Sequence, residues 1–195
     1  MQNRRWLSYP PFKTSVSGNL TDEQPSPSGQ VTGDAVDHNF HLLLGTGLNG
    51  RLADDYLIQR WATHLLQELL VDYRSNHPEL KYRLLFRLGK ATGYRALLLH
   101  SPEHPAVILQ QLMAAATPQQ AEKSRSDLLS QWRELAATPL HQRQLIAQLS
   151  HYQQPVGQAE TEIDQLADID PEQAIAAVRA ALQSRAQFSI LRPGQ

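Results

Sequence analysis

YRLLFRLGKATGYRALLLH, residues 82–100, is the stretch whose reading decides the fold. Tyr82, Leu84, Phe86 and Leu88 alternate with Arg83, Leu85 and Arg87, and a second run begins at Tyr94. Between them Gly89 and Gly93 bracket a five-residue loop. A period of two on both sides of such a loop predicts a β-hairpin. A helix competes, because Leu and Arg are good helix formers. The two glycines within five residues oppose it.

Outward from the hairpin, other elements follow. Upstream, Phe40-His41-Leu42-Leu43-Leu44 reads as a short strand ended by Gly45, with a glycine-rich turn over Gly45–Gly50. Ile58, Trp61, Ala62, Leu65, Leu66, Leu69 and Tyr73 then recur at helical spacing. Asp54 or Asp55 caps that helix, and Asn76-His77-Pro78 stops it. Downstream, Ser101-Pro102 and Pro105 open a helix that continues to Ala116. Thr117-Pro118-Gln119-Gln120 supplies an N-cap, a Pro at N1 and a Gln at N3 for the next. Thr138-Pro139 and Asp170-Pro171 open two more, and Phe188–Leu191 reads as a final short strand. The expected fold is α+β: an N-terminal extended arm, a small β-α-β-β unit with an antiparallel hairpin, related to ferredoxin-like units, and a helical C-terminal half. The expected divisions are 1–37 for arm and linker, 38–117 for the α+β core and 118–195 for helices packed on it. No repeat of 20–50 residues is visible.

Residues 1–37 hold four prolines, three glycines and few apolar side chains, too few to offset the entropy of ordering. Trp6, Tyr9 and Phe12 stand out within them as anchors that dock on the chain's own core or on a partner.

Composition narrows the chemistry. The chain has 195 residues, 18 Lys+Arg against 19 Asp+Glu, and a net charge of −1, which argues against a globally basic nucleic-acid binder. Cysteine is absent, which excludes a disulfide scaffold, a thiol nucleophile, Cys-ligated zinc and an iron–sulfur cluster. No apolar run is long enough to cross a bilayer, and the basic start at Arg4 and Arg5 meets Pro10 and Pro11 before any leader-like apolar stretch. A cytoplasmic location is the expectation.

Two literal motifs deserve a test against their context. Gly45-Thr46-Gly47-Leu48-Asn49-Gly50 matches G-x-G-x-x-G between a strand and a helix, the setting of a phosphate turn. Asp72 lies at the distance of a ribose-binding acid, but it ends the helix and a hairpin follows it, not a βαβ crossover. A nucleotide-binding enzyme built on Gly45, Gly47 and Gly50 is therefore the third reading. His100-Ser101-Pro102-Glu103-His104 matches the H-x-x-E-H of some zinc peptidases, which requires a helix. Pro102 and Pro105 oppose one there. His41 follows His38 by three residues, a spacing that sends two strand side chains to opposite faces. No metal site, cofactor or catalytic set is expected.

Charge segregation is the more informative signal. Residues 74–100 carry Arg74, Lys81, Arg83, Arg87, Lys90 and Arg95 against Glu79 alone. Residues 152–178 carry Glu160, Glu162, Asp164, Asp168, Asp170 and Glu172 with no base, and they read as a solvated helical face. Arg outnumbers Lys 14 to 4, and Arg suits bidentate contacts with carboxylate or phosphate. The leading expectation is a non-enzymatic structural or adaptor subunit of a larger assembly. It would use the basic hairpin, the acidic segment and the aromatic arm for protein contacts or self-association. The alternative is a nucleic-acid-binding subunit using residues 74–100.

Overall fold

The structure is a computed structural model that describes residues 39–155, 157–183 and 188–191. The elements run β1 (Phe40–Asn49), α1 (Tyr56–Asn76), β2 (Lys81–Leu88), β3 (Thr92–Ser101), α2 (Pro105–Ala115), α3 (Pro118–Ala137), α4 (Pro139–His151), α5 (Gln158–Asp168), α6 (Pro171–Gln183) and β4 (Phe188–Leu191). The class is α+β, with the C-terminal half mostly helical, as the period and capping signals predict. The expected arm over 1–37, with Trp6, Tyr9 and Phe12, lies outside the described residues.

The sheet order is β2-β3-β1-β4, with every neighbouring pair antiparallel. This is the strand arrangement of a βαββαβ unit in which five helices stand where the simple unit has one. The hairpin forms, with Leu88 opposite Gly93 and Tyr82 opposite Leu99, and pairing takes Thr92 and Gly93 into β3, so the loop is shorter than the five residues expected. Strand alternation sends Leu42 and Leu44 of β1, and Leu97 and Leu99 of β3, into the core. Tyr82 and Leu84 of β2 pack against the same cluster.

Helix α1 supplies the other wall. Trp61, Leu65, Leu66 and Leu70 are fully buried, each contributing about 1.5–3 kcal/mol by leaving water. The Trp61 indole N–H donates to the Ala121 carbonyl at 3.2 Å, so its polar edge is satisfied inside. One hydrophobic cluster takes residues from β1, β3, α1, α2, α3, α5 and α6.

Local capping works as the sequence implies. The Thr117 hydroxyl accepts from the Gln120 N–H at 3.3 Å, and the Asp170 carboxylate from the Glu172 N–H at 3.0 Å. Asp55 occupies the N-cap of α1 without a side-chain cap bond. Its carboxylate accepts from Asn49 and Gln59 side chains instead.

The region expected to be a glycine turn differs. Gly45 and Gly47 lie inside β1, which continues to Asn49 opposite Thr92. Cross-strand pairing with the long strand β3 extends the ladder past both glycines. The chain turns only from Gly50 onward, and α1 begins at Tyr56. Gly50 is required there: a Cβ would fall 2.3 Å from the Lys90 carbonyl oxygen, against backbone. The Gly50 N–H donates to the Ala91 carbonyl and the Arg51 N–H to the Gly89 carbonyl, both at 2.9 Å. These bonds clamp the start of the turn onto the hairpin tip.

Candidate functional site: the outer sheet face

In each strand the residues alternate to the core face leave an opposite face on which registers align in rows. Lys81, His100 and His41 form one row across β2, β3 and β1. Arg83, Leu98 and Leu43 form the next, and Arg87, Tyr94 and Gly47 a third. Lys81, Arg83 and Arg87 are exposed along the edge strand β2. Beside them Leu43 is 42% exposed, Leu98 38% and Tyr94 48%. The face thus joins a basic edge to an apolar and aromatic middle. His41 and His100 meet edge-on, with Nδ1 atoms 3.2 Å apart and ring centroids at 4.4 Å. Sequence spacing relates His41 only to His38; pairing across β1 and β3 is what gives it a histidine neighbour.

The six expected cations do not lie on one face. Arg74 is exposed in the last turn of α1, and Lys90 at the hairpin tip donates to Gln153 at 3.3 Å. Arg95 leaves the basic face altogether. It sits on the core side of β3, 3% exposed, opposite Phe86. Its guanidinium donates to Thr63 at 3.1 Å, Gln59 at 3.4 Å and the Ala177 carbonyl at 3.5 Å, while Nε has no partner. Burial pushes its pKa down to about 10. The residue alternates with Tyr94, and strand parity overrides the preference of a cation for water.

The acidic segment also divides. Glu160, Asp164, Asp168, Asp170 and Glu172 are exposed, as expected of a solvated face. Glu162 is buried and takes two bonds from Arg51 Nη2, at 2.9 and 3.2 Å. Arg51 is itself 4% exposed. It also donates to the Tyr56 hydroxyl, and to Gln154 at 3.0 Å. Its position right after a glycine in a polar turn carried no local signal of burial.

The literal zinc motif is split by the fold. His100 lies in β3, which ends at Ser101, and His104 is the N-cap of α2, its Nδ1 accepting from the Ala106 N–H at 3.2 Å. On α1 the sequence His64-Leu65-Leu66-Gln67-Glu68 has Gln and Glu where the motif has Glu and His. His64 Nδ1 contacts the buried Ser124 hydroxyl at 3.0 Å and lies 3.8 Å from Glu68. Desolvation lowers the His64 pKa and raises that of Glu68. Among the described residues no group of three His, Asp or Glu side chains is placed to hold a metal ion. No described helix is long and apolar enough to cross a membrane.

No protein-family model matches the sequence, and no curated protein matches it. Solved structures do. The chain is similar to the peptidase M16 inactive domain from Pseudomonas fluorescens, with a TM-score of 0.59 and 15% identity over 78% of this chain and 40% of that one. It is similar to the inactive peptidase domain of a candidate zinc protease from Bordetella parapertussis, with a TM-score of 0.55 and 15% identity over 83% of this chain and 96% of that one. A candidate M16-like peptidase from Alicyclobacillus acidocaldarius gives a TM-score of 0.53 at 16% identity, over 78% of this chain and 40% of that one. The chain therefore spans two fifths of the Pseudomonas and Alicyclobacillus chains and nearly all of the Bordetella one. The likeness is one of fold.

Proposed function

We propose that the chain is a non-catalytic protein-binding domain, a structural or adaptor subunit of a larger assembly, and that it meets its partner through the outer face of its sheet. The observation that carries this reading is the row of exposed Lys81, Arg83 and Arg87 beside half-exposed Leu43, Leu98 and Tyr94. Arg and Tyr around an apolar centre are the composition of a protein interface. A likeness in fold to domains named as inactive peptidase domains supports the non-catalytic half of the reading. The test is the mass, by native mass spectrometry, of the protein isolated with its associated macromolecules. Arg83→Glu/Arg87→Glu is expected to release it from the complex while its thermal transition stays in place. An unchanged complex would overturn the choice of face. Micromolar RNA or DNA binding near about 0.15 M salt, lost in Arg83→Ala/Arg87→Ala, would overturn the choice of partner.

A further inference from the structure

On α3, α4 and α5, three side-chain sets converge on a groove of about 180 Å³. Trp132 comes from α3, His141 and Leu145 from α4, and Ile163 from α5. An apolar cavity of roughly 150 Å³ is enough to hold a benzene ring. Arg51 and Glu162 also line the groove, and their mutual bonds at 2.9 and 3.2 Å leave that pair without net charge.

Two polar groups in the groove are not neutralised. The Arg60 guanidinium lies 4.4 Å from the Trp132 ring centroid and donates to the Tyr56 hydroxyl at 2.7 Å. Among the described residues no carboxylate lies within ion-pair distance of it. The His141 ring lines the same groove, and its buried Nδ1 has no hydrogen-bond partner.

We infer that this groove binds an apolar carboxylate, its hydrocarbon or aromatic body on Trp132, Leu145 and Ile163 and its carboxylate on Arg60. One cation beside a neutralised ion pair matches a single negative charge. A doubly charged phosphate would leave one charge uncompensated next to buried Glu162, and a cationic ligand would meet Arg60. Apolar walls with a few convergent polar groups are what a small-ligand site requires. The site is separate from the sheet face and does not depend on its partner.

The same chemistry is carried by a free acid and by the carboxy-terminal residue of a peptide. The full-length protein is titrated with 4-phenylbutyrate, 4-phenylbutanol, a tetrapeptide ending in free Phe, and the amide of that peptide, and amide and indole resonances are followed by NMR. The acid is expected to shift the Trp132 indole and the α4 amides around His141, with a dissociation constant on the order of 1 mM or tighter. The alcohol should bind at least about tenfold more weakly, through loss of the charge-assisted contact. Arg60→Gln should erase that difference, and Arg60→Lys should keep part of it. Should Arg60→Gln unfold, the acid-to-alcohol ratio on the unaltered protein reads the same contact. A free-Phe peptide that outbinds both its amide and 4-phenylbutyrate identifies a peptide terminus as the source; equal binding by peptide and acid identifies a free acid. Equal binding of acid and alcohol overturns the inference. So does a lack of shifts up to about 10 mM, where so small a ligand should saturate, or shifts confined to the strands carrying Lys81 and Arg83.

Discussion

Arg51 and Glu162, 111 residues apart in sequence, form a buried two-bond ion pair at 2.9 and 3.2 Å. The pair ties the turn after β1 to α5, and Gly50 sets its position by clamping that turn to the hairpin tip. Removing one partner leaves the other charged and buried, a loss of about 3–5 kcal/mol. Arg51→Met and Glu162→Leu should each lower the urea midpoint strongly. The double variant should recover most of the loss, and additive losses would show that the pair is not coupled.

Gly47→Ala and Gly50→Ala separate two roles for glycine in one short segment. A Cβ at Gly47 meets nothing within 4 Å, so that variant should unfold within about 0.5 kcal/mol of the parent. A Cβ at Gly50 strikes the Lys90 carbonyl and the Ala91 backbone, and should cost about 1–3 kcal/mol or more. Equal effects in thermal unfolding would refute the clamp.

Arg95 is a buried cation that meets only neutral acceptors. Replacement by an apolar side chain of similar length removes its desolvation cost. Arg95→Met should hold or raise the unfolding free energy, by up to about 2 kcal/mol. A fall of more than about 1 kcal/mol would show that its bonds to Thr63 and Gln59 outweigh that cost.

His64 and Glu68 give stability two opposed pH dependences. Burial lowers the His64 pKa, so the unfolded chain takes up the proton first and stability is lost as pH falls below 6.5 toward the folded value. Burial raises the Glu68 pKa, so stability is lost as pH rises above 4.5 toward its folded value. Glu68→Gln should therefore stabilise most near neutral pH, with the gain vanishing below pH 4.5. His64→Gln should flatten the acid-side loss that starts near pH 6.5. Denaturant titrations across pH 4–8 read both.

What the sequence determined by itself is what depends on neighbours a few residues away. The hairpin follows from a period of two around Gly89 and Gly93, and α3 and α6 follow from caps at Thr117 and Asp170. Outward placement of Arg83 and Arg87 follows from parity once Tyr82 and Leu84 pack against the core. Tertiary structure decided the rest. Gly45 and Gly47 became strand because β3 is long enough to pair with them, against their weak propensity. Arg95 was expected among the surface cations, yet its parity on β3 points it at α1 and α6. Glu162 looked like one more acid in a solvated row, and Arg51 like one more polar turn residue. Only packing of α5 against the turn after β1 shows that each is buried because the other is there, since an ion pair in a low-dielectric interior is specified by both ends of the chain at once.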